Sequence, residues 1–188
     1  MPASLPPLPL PQGITESYVQ SHDLNYHVLS AGDPRKPLIL CLHGFPELAY
    51  SWRKIMPAMA AEGYHVVAYD QRGYGRTTGW DTGDFSSVDL NTFRFTLLVR
   101  DAIVLVNALG YREVTCVLGH DFGAVAASIC TVMRPDFFKS WAPISQCIII
   151  LLTMLQSSID VSSFHRHSLP PIQHCIQAPT SIRERRRP

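Results

Sequence analysis

The stretch that decides the fold runs from residue 114 to residue 133 and reads VTCVLGHDFGAVAASICTVM. Its first part, Val114 to Leu118, is apolar and rich in β-branched residues, which predicts a buried strand. Its last part, Gly123 to Met133, predicts a helix of small residues. Between them, Gly119-His120-Asp121-Phe122-Gly123 places a glycine two positions to either side of Asp121. We therefore expect a sharp turn that holds Asp121 in a strained backbone conformation while strand and helix approach closely.

Upstream of this turn, strand patterns alternate with helical patterns. Two extended stretches separated by His22-Asp23 predict a hairpin. Alternation of this kind favours βαβ units and a mostly parallel sheet with flanking helices, an α/β fold. Ligands of such sheets bind at the carboxyl ends of the strands, here after Leu42, Tyr69 and Leu118. The predicted strands cover residues 14–21, 24–31, 38–42, 65–69, 114–118 and 140–144.

Composition limits the function classes. The chain has 188 residues, of which 46% are hydrophobic and 16% charged, and its formal net charge is +1. These values suit a globular domain with a buried core rather than a strongly basic nucleic-acid-binding chain. The five cysteines show neither CxxC spacing nor the density of a disulfide scaffold, and the N-terminal residues lack a secretory signal pattern. We expect a reducing, cytoplasmic location.

Three regions are predicted along the chain: a Pro-rich, untethered arm at 1–13, a partial core at 14–146, and a divergent, poorly ordered tail at 147–188. The tail begins with an aliphatic run, Cys147 to Leu155, shorter than the ~20 residues of a membrane-spanning helix. It ends in an arginine cluster at 183–187, which is more typical of a solvated terminus than of a nucleic-acid site. We expect no membrane span and no nucleic-acid partner, and the oligomeric state stays open.

The central residue of the turn, Asp121, is a candidate nucleophile. A carboxylate is ionised at neutral pH and needs no base to activate it. It suits attack on a saturated carbon that bears a strained oxygen or a halide, which forms an alkyl-enzyme ester. Hydrolysis of that ester then requires a histidine base and an oxyanion hole.

A second motif, His43-Gly44-Phe45-Pro46, follows the predicted strand that ends at Leu42. In this architecture one oxyanion donor is the amide after the nucleophile, here Phe122, and the other comes from the loop after an earlier strand, here Phe45. His43 is expected to brace this loop, to which Gly44 and Pro46 also belong. The two motifs lie on different strands and are expected to form one site.

Several neighbouring polar residues are expected to have structural roles. His120 is predicted to point into the fold and not to act as the base. Asp70 and Arg72 are predicted to form an internal salt bridge that orders their loop. Trp52 fits a helix-packing position.

The motifs together resemble those of α/β-hydrolase-fold epoxide hydrolases of the soluble type. The resemblance rests on HGFPELAYSWR at 43–53, YDQRGYGRT at 69–77 and GHDFGA at 119–124, and it covers only the N-terminal half of such an enzyme, up to about Ser145. It implies opening of a small apolar epoxide to a diol without metal or organic cofactor. Haloalkane dehalogenases, which usually carry Trp and Asn where this chain has Phe122 and Phe45, remain an alternative.

The resemblance also implies residues that are not recognisable here. The family order is nucleophile, then acid, then histidine. His165, His167 and His174, with Asp160 as an orienting acid, follow in a permissible order, but their Ser- and Pro-rich segment is typical of a loop. The general base and acid therefore remain unknown. We expect a chain truncated after the helix and strand that follow Asp121, and inactive as written; the alternative is a non-catalytic remnant that binds ligands or modulates a relative.

Overall fold

The centre of the molecule is a six-stranded, mostly parallel sheet. The computed structural model describes residues 5–84 and 86–144. The strands, numbered in chain order, are β1 (Ile14–Ser21), β2 (Leu24–Ala31), β3 (Leu38–Leu42), β4 (His65–Tyr69), β5 (Cys116–His120) and β6 (Trp141–Ile144). They lie in the order β1-β2-β4-β3-β5-β6, with β1 and β2 antiparallel and β3 to β6 mutually parallel. The predicted α/β sheet and its N-terminal hairpin are confirmed.

Helices cover both faces of this sheet. They are α1 (Met56–Ala61), α2 (Phe95–Ala108) and α3 (Phe122–Met133), together with two 3₁₀ helices, Ala49–Lys54 and Leu90–Phe93. Helices α2 and α3 pack on one face, while α1 and the first 3₁₀ helix pack on the other. The chain leaves α2 through Gly110, whose φ of 90° is easily adopted by glycine.

Strand β3 shows why the central strands are apolar at every position. Leu38, Leu40 and Leu42 contact the core beneath α2 and α3, while Ile39 and Cys41 contact the core beneath α1. Successive side chains of a strand point to opposite faces, so a strand with helices on both sides has no solvent-facing position. The buried sheet fixes where its carboxyl-terminal edge, and therefore the loops after β3, β4 and β5, must lie.

Strand β5 lies two residues later than the sequence pattern predicted. Its ladder with β3 runs from the Ile39–Cys116 pair to the Leu42–Gly119 pair, and its last residue, His120, pairs with Ile144 of β6. Val114 is buried but forms only an isolated bridge to Phe138. The apolar pattern correctly predicted that Val114 is buried. Which residues pair in the sheet depends instead on the position of β3. As a result, Asp121 follows the last strand residue directly.

The N-terminal arm is not untethered over its described residues, 5–13. The Tyr50 hydroxyl donates a hydrogen bond of 2.9 Å to the Pro9 carbonyl oxygen. Leu8 and Leu10 pack against the core on the α1 side of the sheet. The prediction of a free arm was wrong because its two leucines find apolar surface that a sequence pattern does not locate.

Three cysteines of the described chain are buried free thiols: Cys41 on β3, Cys116 on β5 and Cys130 in α3. Burial raises the pKa of all three thiols, that of Cys130 to about 12. Cys41 and Cys116 belong to the core on the α1 side, and Cys130 belongs to the core on the opposite face. These thiols are therefore protonated and act as small apolar core groups.

None of the helices in the described part of the chain has the length and apolar character that crossing a bilayer requires. The predicted tail at 147–188, with its aliphatic run and arginine cluster, lies outside the described residues.

Candidate active site

Asp121 occupies a strained turn between β5 and α3. Its φ is 52° and its ψ is −122°, a conformation that L side chains rarely adopt. A Cβ at Gly119 would lie 2.3 Å from the Gly123 carbonyl oxygen, and a Cβ at Gly123 would lie 2.2 Å from the Leu42 carbonyl oxygen. The expectation of glycine at both flanks and of backbone strain at the centre is confirmed. The turn leaves the Asp121 side chain exposed at the sheet edge.

The Asp121 carboxylate faces the loop that follows β3. The Phe45 amide donates to Asp121 Oδ1 at 3.1 Å. Hydrogen bonds from the Phe122 and Phe45 amides hold the pKa of the Asp121 carboxyl below its usual value. Gly44 permits this approach, since a Cβ there would lie 2.6 Å from the Asp121 Cβ. The structure thus brings together Asp121 and the two backbone amides selected from the sequence.

His43 is buried where the loops after β3 and β4 meet. Its Nε2 accepts a hydrogen bond of 3.1 Å from the Gln71 amide, so Nδ1 carries the proton and donates to the Gly44 carbonyl oxygen at 2.9 Å. Burial lowers the pKa of His43, which keeps the ring neutral. The Tyr74 ring packs edge-on against it, with centroids 4.9 Å apart. Next in the loop, the Phe45–Pro46 peptide bond is cis.

His120 does not point into the fold, contrary to the prediction. Its Nδ1 lies 2.8 Å from Glu47 Oε2, and about a third of its side chain is exposed. Alternation along β5 places His120 on the same face as Leu118, but beyond the end of the core. The pair borders an open hollow of about 220 Å³. The hollow is lined by Glu47, Ser51, Trp52, Ile55, His120 and Ile144.

Asp70 and Arg72 do not pair with each other. Arg72 donates to both carboxylate oxygens of Asp101, at 2.7 and 3.0 Å, and to Asp23 at 2.9 Å. Asp70 instead pairs with His27, whose Nδ1 lies 2.8 Å from Asp70 Oδ2. The two side chains leave the loop in different directions and enter separate buried networks, so the predicted ion pair was wrong although both residues do order the loop.

Sequence reasoning passed over three residues at the site. Glu47 lies inside the quoted motif, and its Oε2 accepts a 3.3 Å hydrogen bond from the Gly44 amide in addition to its contact with His120. The Gln71 side-chain amide donates to the His43 carbonyl oxygen at 2.7 Å, and Phe95 stacks on Phe122 with ring centroids 5.2 Å apart. Glu47 and Gln71 could have been selected by their position, because both lie in loops that follow buried parallel strands, where ligands bind.

Other candidate residues cannot be related to the site geometrically. Asp160, His165, His167 and His174 lie outside the described residues. Within residues 5–84 and 86–144, no group of three or more His, Cys, Asp or Glu side chains is arranged to hold a metal ion.

Known proteins resemble the chain over this region. A family model described as the alpha/beta hydrolase fold matches residues 37–161. Epoxide hydrolase A of Mycobacterium tuberculosis is 37% identical over 70% of this chain and 38% of its own length. Epoxide hydrolase 4 of Homo sapiens is 38% identical over 65% of this chain and 32% of its own. The chain thus spans less than two fifths of the relatives it matches.

Solved structures show the same partial correspondence. The crystal structure of epoxide hydrolase VrEH1 from Vigna radiata superposes with a TM-score of 0.62 at 33% identity, covering 71% of this chain and 40% of that one. An epoxide hydrolase from an endophytic Streptomyces gives a TM-score of 0.64 at 36% identity, covering 72% and 38% of the two chains.

Proposed function

The chain belongs to the α/β-hydrolase family, and from that premise we propose that Asp121 opens an epoxide by forming an alkyl-enzyme ester. The observation that carries the proposal is the Asp121 carboxylate itself, exposed and aligned with the Phe45 amide at 3.1 Å. The names of the similar proteins, epoxide hydrolases in each case, supply the substrate class.

The first step is a displacement at carbon. One carboxylate oxygen of Asp121 attacks an epoxide carbon, the strained carbon–oxygen bond breaks, and the resulting alkoxide, still attached to the neighbouring carbon of the ester, takes up a proton from water. The lowered pKa of Asp121 keeps this nucleophile ionised in mildly acidic solution. Release of ring strain drives the step, so an ionised carboxylate is sufficient as a nucleophile.

The second step is hydrolysis of the ester. Water attacks the Asp121 carbonyl carbon, and negative charge develops on the carbonyl oxygen. The Phe45 amide, which donates to Asp121 Oδ1, and the Phe122 amide, which also lowers the pKa of this carboxyl, are the oxyanion donors of the proposal. Cleavage of the bond between the acyl carbon and the ester oxygen, which Asp121 supplied in the first step, then releases the diol and leaves the water oxygen in the Asp121 carboxylate.

Hydrolysis also needs a base, and we assign none among the described residues. Both ring nitrogens of His43 are engaged, one by Gln71 and one by Gly44. The Nδ1 of His120 is held by Glu47, and among the described residues no hydrogen bond joins its ring to the Asp121 carboxylate. We therefore propose that this chain forms the ester and accumulates it rather than turning over.

The substrate we propose is small and apolar. Phe45 is 69% exposed beside Asp121, and the Phe95–Phe122 stack adjoins the same turn. Phenylalanine at 45 and 122 provides no side-chain donor for a departing halide, which disfavours dehalogenation. The buried free thiols are consistent with the cytoplasmic location that we also propose.

Intact-mass spectrometry of the full chain with an aryl epoxide tests the proposal. We expect a single adduct of the epoxide's mass, mapped to Asp121, with no diol above the uncatalysed level. Asp121→Ala is expected to give no adduct, while Asp136→Ala, which removes an exposed carboxylate beyond α3, retains it.

Three outcomes would contradict the proposal. Absence of the adduct would remove Asp121 as nucleophile and favour a non-catalytic fragment. An equal adduct in Asp121→Ala would show non-specific alkylation. Diol formed by the wild-type chain and lost in Asp121→Ala would overturn the expected stall and indicate a base outside the described residues.

A further inference from the structure

Two consecutive residues after β4, Asp70 and Gln71, contact both ends of the loop that carries Phe45. We call residues 43–49 the oxyanion loop. At its start, Gln71 contacts His43; at its end, Asp70 contacts Ala49. The loop is therefore held at its two ends by adjacent residues of one neighbouring strand end.

Asp70 holds the end of the oxyanion loop through a buried carboxylate. Its side chain is 1% exposed. Oδ1 accepts the Ala49 amide at 2.8 Å, and Oδ2 accepts the Arg76 amide at 2.9 Å and lies 2.8 Å from His27 Nδ1. A Cβ at Gly75 would lie 2.1 Å from Oδ2, which shows how closely the surrounding turn is packed. Both oxygens of the carboxylate are thus engaged, and Oδ1 is directed at the Ala49 amide.

Gln71 holds the start of the oxyanion loop with both of its nitrogen atoms. Its backbone amide donates to His43 Nε2 at 3.1 Å, and its side-chain Nε2 donates to the His43 carbonyl oxygen at 2.7 Å. The side chain is buried, and its Oε1 has no hydrogen-bond partner among the described residues. Burying an unpaired amide oxygen is unfavourable. Within residues 5–84 and 86–144, the one hydrogen bond that this side chain makes is thus to the oxyanion loop.

We propose that Asp70 and Gln71 act as a clamp that sets the direction of the Phe45 amide toward Asp121. The clamp rests on the proposed function, because Phe45 is one of the two oxyanion donors named there. Asp70 and Gln71 are positioning residues in this proposal and touch no substrate. His43 transmits the constraint, since it is bonded to Gln71 on one side and to Gly44, adjacent to Phe45, on the other.

The physical reason is preorganisation. An oxyanion donor is effective only when it already points at the position where charge develops, within about 2.7–3.1 Å. Exposed loop backbone would otherwise sample several directions, and the Phe45 side chain, 69% exposed, makes little contact that could restrain it. The loop ends, where the clamp acts, therefore add a restraint to the one that the hydrogen bonds between Gly44 and Glu47 supply within the loop.

Nuclear magnetic resonance of the full chain tests the clamp without any reaction. The two measurements are the pKa of Asp121, from its side-chain carbon, and the hydrogen-exchange rate of the Phe45 amide. Asp70→Asn replaces an acceptor oxygen with an NH₂ group that cannot accept from backbone amides. Gln71→Leu keeps the side-chain volume and removes the donor to His43. Asp101→Asn is the matched control, because it alters an equally buried carboxylate that contacts Arg72 and no residue of the oxyanion loop.

In both clamp variants we expect the Asp121 pKa to rise, with Phe45 exchange about tenfold faster, as loss of one hydrogen bond implies. Asp101→Asn should leave both values unchanged. Unchanged values in a folded Gln71→Leu variant overturn the clamp, as does an equal response in the control. If Asp70→Asn does not fold, Gln71→Leu decides by the same criteria. Since no epoxide is present, failure of the adduct experiment and failure of the clamp are distinguishable.

Discussion

Asp70 and Asp121 directly follow β4 and β5, two strands of the same sheet that both pair with β3. Their surroundings differ in one decisive respect, which is exposure to solvent. Each accepts at least one backbone amide, and each has a pKa below the ordinary value. Asp70 is 1% exposed and also bonded to His27, whereas Asp121 is exposed, at a φ of 52°. The contrast shows that amide donors alone do not make a carboxylate reactive. A nucleophile also needs an oxygen that substrate can reach. The strained turn exposes the oxygens of Asp121, whereas the oxygens of Asp70 are buried.

The largest difference between Asp70 and Asp121 is expected in what each contributes to the free energy of unfolding. Asp70→Ala should lower the free energy of unfolding by about 4 kcal/mol, because it leaves buried hydrogen-bonding partners without an acceptor. Asp121→Ala removes an exposed group and should cost less than about 1 kcal/mol. Urea unfolding of both variants measures the difference, and equal losses would contradict the division into structural and exposed carboxylates.

The turn at Asp121 should tolerate no added Cβ. In Gly123→Ala the new methyl group would lie 2.2 Å from the Leu42 carbonyl oxygen, and we expect a loss of about 3 kcal/mol. Gly63→Ala is the matched control, with a φ of 90° but no atom within 4 Å of the added Cβ. Its backbone strain alone should cost about 1 kcal/mol. Gly123 itself has no positive φ, so a loss no larger than that of Gly63→Ala, measured by urea unfolding, would contradict close packing as the reason for glycine in the turn.

Replacing the strained aspartate by glycine should stabilise the chain. Asp121→Gly relieves the positive φ, and we expect a gain of about 1 kcal/mol, together with complete loss of epoxide adduct. Asp121→Ala, which keeps the strain, should lose the adduct without that gain. Thermal unfolding and intact-mass measurements on the two variants separate strain from chemistry; a glycine variant less stable than the alanine variant would disprove stored strain.

The smallest expected effect is a change with pH in the contribution of Asp70 to the free energy of unfolding. Burial raises the pKa of Asp70, but hydrogen bonds from His27 and the Arg76 and Ala49 amides together outweigh it, and the folded-state pKa is lowered. Its contribution to stability is therefore complete above the unfolded value of about 3.9 and is lost as pH falls through the lower folded value. The stability gap between wild type and Asp70→Asn should narrow below about pH 4. Urea unfolding at pH 7, 5, 4 and 3 measures it, and a constant gap would contradict the shift.

Local patterns predicted much of this molecule. The bounds of β1 to β4 match the apolar and alternating stretches, because buried strands leave a direct trace in residue type. The turn at Asp121 was predictable for a similar reason, since close approach of strand and helix demands Gly119 and Gly123 at fixed positions. Where residue type is dictated within a few positions, sequence reasoning succeeds.

Choices between distant partners were not predictable. Asp70 and Arg72 stand two residues apart, yet their partners are up to 49 residues away in sequence, from Arg72 to Asp23. The pairing of His120 with Glu47 spans 73 residues. Each of these charged groups could form an ion pair or hydrogen bond with several others in the sequence. Only the folded sheet determines which partner lies close enough to do so.

The three buried thiols allow the two faces of the sheet to be followed separately. A thiol reagent can reach Cys41 and Cys116 only when the α1 side opens, and Cys130 only when the α2 and α3 side opens. With Cys147 and Cys175 replaced by serine, the labelling rates of these three sites would each report a local opening free energy. Equal rates at all sites would mean that both faces open in one cooperative event, and unequal rates would identify which half of the core gives way first.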